Sequence, residues 1–107
     1  MYNLLITQTA KQQYDDIAMG IFEKSQSVDV ALDFVKRLRA SVEHLKEFPF
    51  SGALPQDRLL LSVGYRYTVF EDYLTFYKAD ENLKTVTIFA VLNAKLDYKR
   101  FMKKYLK

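Results

Sequence analysis

The sequence contains no cysteine, a single histidine and no long apolar run. Without cysteine it can form neither a disulfide nor a thiolate metal site. That absence is compatible with a reducing cytosol, and a cytoplasmic location is the expectation. His44 alone cannot build a zinc site without carboxylate help, so no metal and no cofactor are expected. No stretch approaches the roughly 20 apolar residues of a membrane span. Residues 1–7 have no basic start and too short an apolar run to read as a signal peptide. Disorder needs low hydrophobicity and high net charge. Here half the residues are hydrophobic, 15% are aromatic and the net charge is only +3.

What is present suits one domain spanning residues 1–107. Residues 2–7 are rich in strand formers and read as a first strand. Thr9-Ala10-Lys11-Gln12 has capping-box spacing, and Ala10, Tyr14, Ile17 and Ile21 then mark the buried stripe of a helix running to about Glu23. After the polar break at 24–27, Ser25 or Ser27 can cap a second helix, with Asp29 in its first turn. Its stripe is Ala31, Phe34, Val35, Leu38, Val42 and Leu45, and Phe48-Pro49 ends it. So short a break forces the two helices into an antiparallel hairpin. His44 falls on this helix beside the stripe, which favours a surface position over a catalytic one.

Residues 49–55 read as loop, and residues 58–62 are ambiguous, with a short strand as one reading. Three runs rich in aromatic and β-branched residues follow at 65–70, 73–78 and 85–92, separated by short polar links, which implies an antiparallel meander. Residues 96–106 read as a closing helix. The expected class is therefore α+β, an antiparallel sheet packed against an N-terminal helical hairpin, in the order β-α-α-β-β-β-α.

Alternation along the strands assigns the two faces of the sheet. Pairing Phe70 with Tyr73, and Ala79 with Thr85, puts Arg66, Thr68, Tyr73, Thr75, Tyr77, Thr87 and Phe89 on one face. The other carries Tyr65, Tyr67, Val69, Leu74, Phe76, Val86, Ile88, Ala90 and Leu92. The second set is the greasier, and the helices are expected to cover it. The first would then be an open face on which Arg66 holds phosphate and rings such as Tyr77 stack a base. A one-residue slip would exchange the faces. The alternative reading of Arg66, a surface arginine among strand-favouring threonines, stays open. The C-terminal residues add Lys95, Lys99, Arg100, Lys103, Lys104 and Lys107 against Asp97, a charge run that suits phosphate or an acidic partner or is simply a solvated face.

Taken in order, Leu45-Lys46-Glu47-Phe48-Pro49-Phe50-Ser51-Gly52, Gly64-Tyr65-Arg66, Asp72-Tyr73-Leu74-Thr75-Phe76-Tyr77-Lys78, the run 86–92 and Asp97-Tyr98 resemble the RelE/ParE toxin superfamily. The likeness is strongest to members labelled plasmid-stabilisation proteins and covers nearly the whole chain. It implies a type II toxin–antitoxin toxin that forms a hetero-oligomer with a cognate antitoxin. It also implies one of two targets. RelE-like members cut messenger RNA on the ribosome without a metal, whereas ParE-like members bind and poison DNA gyrase. An inactive homologue that only binds its antitoxin is a third reading.

For RNA cleavage, the resemblance implies Arg66, Lys95 and Tyr98 as catalytic residues, with Arg66, Tyr77, Lys99 and Arg100 binding nucleic acid. Arg66 would steady the phosphorane and Tyr98 would stack a base or pass a proton. Two positions depart from the RNA-cutting pattern. Asn93 stands where many members carry histidine or another basic residue, and Ser51 where some carry glutamate, so no general base is evident. Ribosome-dependent messenger RNA cleavage is the expected activity, on the strength of Arg66, Tyr98 and the basic end. The second, gyrase binding, rests on the missing base.

Overall fold

A computed structural model describes residues 1–95. The order of elements is β1 (Asn3–Ile6), α1 (Gln8–Ser25), α2 (Val28–Ala40), a short 3-10 helix (Glu43–Lys46), α3 (Arg58–Val63), β2 (Arg66–Phe70), β3 (Tyr73–Asp80) and β4 (Thr85–Asn93). The closing helix read at 96–106 lies outside the described residues.

The α+β class and the helical hairpin are as expected, and α1 and α2 pack on one another. Thr7, not Thr9, caps α1: its hydroxyl accepts the Ala10 N–H at 3.2 Å. Thr7 is the last residue in extended conformation, so only there is a side chain placed to meet the orphan amides. Ser27 caps α2 through the Val30 N–H. The second helix stops at Ala40, earlier than the apolar stripe indicated, and the 3-10 turn carries Leu45 into the core. His44 sits on that turn, exposed. Residues 58–63 form a helix, not a strand, capped by the Asp57 carboxylate on the Leu60 N–H and ended by Gly64 at φ 99°.

The sheet order is β1-β4-β3-β2. The β2–β3–β4 meander is antiparallel, whereas β1 lies parallel beside β4, so the sheet is mixed at that edge. The β2–β3 register is the expected one, Phe70 opposite Tyr73 and Arg66 opposite Tyr77. The β3–β4 register is not. Asp80 pairs with Thr85, because the Asp80 carboxylate accepts the Asn82 and Leu83 N–H groups and tightens the turn by one residue. A bulge beside Phe76 and Tyr77 then shifts the ladder again.

These shifts, with the hairpin's position, overturn the expected assignment of faces. The hairpin covers the face of Tyr73 and Tyr77, joined there by Val86, Ile88 and Val91 of β4 against Tyr14 and Leu38 of the helices. On the opposite face Tyr65, Phe76, Ala90 and Leu92 pack against Leu60 of α3. Both faces are therefore apolar, and the greasier set is divided: Tyr65, Tyr67, Leu74, Phe76, Ala90 and Leu92 face away from the hairpin, while Val86 and Ile88 face it. Phe89 is the extra residue of the bulge, and its ring meets Tyr65 at 5.5 Å.

Candidate functional site

Arg66, Tyr77 and Gly52 form one packed unit on the hairpin side of the sheet. Tyr77 is fully buried, and its phenolic oxygen accepts the Gly52 N–H at 2.9 Å. Arg66 Nη1 donates to the Gly52 carbonyl at 3.1 Å, and its guanidinium lies 5.5 Å from the centre of the Phe50 ring. Burial pushes the Tyr77 phenol above its ordinary value, against the opposing pull of the Gly52 hydrogen bond and the Arg66 charge. A Cβ on Gly52 would meet the Tyr77 oxygen at 2.5 Å, so only glycine permits this approach. The loop after the helices is thus stapled to the sheet by a phenol from below and a guanidinium from the side.

This geometry corrects two expectations. Arg66 does not stand on an open face; it is half-buried under the loop on the side the hairpin covers. Tyr77 offers no ring for a base to stack on, because the slipped β4 register and the hairpin enclose it in the core.

Lys95 is exposed just beyond β4, its N–H held by the Asn93 side chain at 2.9 Å. Asn93 therefore serves a turn. Ser51 does likewise, its hydroxyl donating to the Phe48 carbonyl. Arg66 and Lys95 lie at opposite ends of the meander. Arg66 is opposite Tyr77, while Tyr73 is opposite Asn93. Four residues along β3 separate these levels, roughly 13 Å. Tyr98, Lys99 and Arg100 lie outside the described residues.

Two features had no counterpart in the sequence reading. On the face away from the hairpin, Lys78 sits 4.7 Å from the centre of the Tyr65 ring and 5.5 Å from that of Phe89. The bulge that turns Phe89 to this side has no local signature. Between the hairpin and the β2–β3 turn runs an open groove of about 630 Å³, with Phe34 and Tyr73 in its wall and Asp29, Asp33, Glu71 and Asp72 around it. The spacing of Asp29 and Asp33 places them on one helix face, which was legible; their meeting with Glu71 and Asp72 was not. Among the described residues no three His, Cys, Asp or Glu side chains converge to hold a metal ion. No helix there is long and apolar enough to cross a membrane.

The family model described as the ParE toxin of the type II toxin–antitoxin system parDE matches residues 4–98. No curated protein matches the sequence. Among solved structures, the chain is similar to one from the chromosomal ParDE system of P. aeruginosa, at a TM-score of 0.70 and 19% identity over 87% of this chain and 96% of that one. It is also similar to one in the RelBE2 toxin–antitoxin complex of Mycobacterium tuberculosis, at 0.56 and 21% identity over 86% and 96%. The isolated E. coli RelE toxin aligns over 99% of this chain and all of its own, at 0.53 and 15% identity. At such identities the structural likeness concerns the fold.

Proposed function

The chain belongs to the ParE toxins of type II toxin–antitoxin systems, within the RelE/ParE superfamily, and we propose that it arrests growth by gripping its target without cutting RNA. The target we infer is DNA gyrase, the one the resemblance assigns to ParE-like members. One observation carries this choice. RNA cleavage by attack of the 2′-hydroxyl needs a base, an acid and a cation around one phosphate. Here Arg66 is engaged by the Gly52 carbonyl and the Phe50 ring, and its strand level is roughly 13 Å from that of Asn93, two residues before Lys95. Catalytic roles for Arg66, Lys95 and Tyr98 would require the first two to converge.

A cognate antitoxin is the second part of the proposal. Two of the similar structures are ParDE and RelBE2 systems, which supports a paired partner here. Leu59, Leu61 and Val63 on α3 and Val69 on β2 are each exposed. Apolar side chains left open in this way suit an antitoxin segment that orders as it binds.

The test is to induce the chain, map transcript ends and chromosome breaks together, and assay purified protein against gyrase without ribosomes. Blocked supercoiling, chromosome breaks and intact messages are expected, and Arg66→Ala should leave growth arrest in place. New transcript ends inside codons, abolished by Arg66→Ala, would replace this reading with ribosome-dependent messenger RNA cleavage, and with it nucleic-acid roles for Lys99 and Arg100.

A further inference from the structure

The two edges of the sheet are finished differently. At β2 the loop residue Ala53 pairs with Tyr67 in both directions. Its N–H donates to the Tyr67 carbonyl at 2.8 Å, and its carbonyl accepts the Tyr67 N–H at 3.0 Å. The Tyr65 N–H beside them is met by the Leu60 carbonyl. At β1 nothing comparable is present among the described residues. The Asn3 and Thr7 N–H groups donate to the Lys84 and Ile88 carbonyls, which fixes the phase of the strand. Odd-numbered residues therefore turn their peptide groups toward β4, and Leu4 and Ile6 turn theirs outward. Tyr2 also faces outward, and the Lys46 carbonyl takes its N–H at 2.9 Å. No described group pairs with the N–H or the carbonyl of Leu4 or Ile6.

Proteins guard such an edge with charge, proline, a bulge or a cover. Asn3-Leu4-Leu5-Ile6 has no ionisable side chain, no proline and an unbroken register. The charge of the adjoining Lys46 is met by Glu43 at 2.8 Å. α1 packs on β4, inboard of the edge. Leu4 and Ile6 pack their side chains on the hairpin side, so Leu5 points to the other face, where it is 50% exposed.

An open edge of this kind takes another strand. We propose that the occupant is a second copy of this chain, joined β1 to β1 in antiparallel sense about a two-fold axis at Leu5. The segment is its own complement. With Leu5 opposite Leu5, Leu4 of each copy exchanges both backbone hydrogen bonds with Ile6 of the other. The leucines at the axis meet in the close, non-hydrogen-bonded position and cover one another. Sliding the pairing either way would draw in Tyr2, whose N–H is taken, or Gln8, which belongs to α1. The sheets of the two copies become continuous. The two-fold axis keeps like faces together, so both hairpins lie on one side and both α3 surfaces on the other. A partner with two matching sites is then gripped at two points, more tightly than by one copy. This inference stands whether the target is gyrase or messenger RNA.

The interface is short, so the dimer should be reversible. Amide exchange by NMR and mass by sedimentation are followed on the full chain over roughly 10 μM to 1 mM, the range of weak association. Exchange at the Leu4 and Ile6 N–H groups should slow about tenfold as the mass moves from one copy to two. The Leu5 N–H, already turned to β4, should hardly change. Leu5→Lys sets two ammonium groups against each other at the axis and should weaken association at least tenfold, by about the device that natural edges use. Leu83→Lys makes the same charge change on a side chain 70% exposed in the β3–β4 turn and should leave association intact. Circular dichroism shows whether each variant keeps the fold. A single-copy mass throughout the range would overturn the proposal. So would Leu4 and Ile6 amides equally protected at every concentration, since the edge would then be covered within one copy. A dimer indifferent to Leu5→Lys would place the contact elsewhere and overturn it too.

Discussion

The two faces of the sheet are both apolar, yet they are closed in different ways. On one side two helices of 18 and 13 residues lay their stripes across β1, β4 and β3. On the other a six-residue helix contributes Leu60 and leaves its remaining leucines exposed. The first side has long elements that cannot shift independently, so a lost side chain leaves a cavity. The second has a short cover that can settle. Stability should therefore reside on the hairpin side, and surface for partners on the α3 side.

The largest effect expected is at the staple that joins the loop to the hairpin side. Gly52→Ala drives a methyl group into the fully buried Tyr77 phenol, which has no room to move. A loss of about 3 kcal/mol is expected in urea denaturation. Next comes the direct comparison of faces. Leu38→Ala should cost about 3 kcal/mol, as much as the staple, and Leu60→Ala about 2, both within the range for buried leucines. Equal losses would break the distinction between a rigid side and an adjustable one.

Two hydroxyls sharpen it further. Tyr77→Phe strands the Gly52 N–H and should cost about 1 kcal/mol. The Tyr14 hydroxyl is buried with no partner, so Tyr14→Phe should be neutral or slightly stabilising on the same measurement. The smallest effect is in alkali. Burial raises the phenols of Tyr14, Tyr65 and Tyr77 above their ordinary value of 10.0. Between that value and the raised ones the folded state holds more protons than the unfolded state, so stability is complete below pH 10 and falls as pH rises further. Absorbance titration should show the phenols of Tyr14, Tyr65 and Tyr77 ionising above that value, together with unfolding. Ionisation of these three ahead of unfolding would contradict their burial.

Much of this was readable without coordinates, because its causes are local. The stripe Ala10, Tyr14, Ile17 and Ile21 and the break at 24–27 dictate a hairpin wherever they occur. The two-residue link at Glu71-Asp72 sets the β2–β3 register, even though Glu71 adopts φ 52° in doing so. The superfamily was legible too, from an ordered series of short segments that the family model spans. The candidate site was less legible. Arg66 was singled out, but not the carbonyl that holds it. Tyr77 reads as a surface ring from alternation alone, because the Asp80 turn that sets its neighbours on β4 leaves no mark in the strand pattern.

Residue order alone thus specifies which segments are helix or strand, how neighbours connect, and the charge excess at the C-terminal end. Only the folded chain decides which face of the sheet the hairpin covers, that α3 closes the other, and that Asp29 and Asp33 face Glu71 and Asp72 across a groove. The reason is that local preferences act over a few residues, whereas a single carboxylate at Asp80 moves Val86, Thr87 and Ile88 to the other face and one bulge restores Ala90 and Leu92 to theirs.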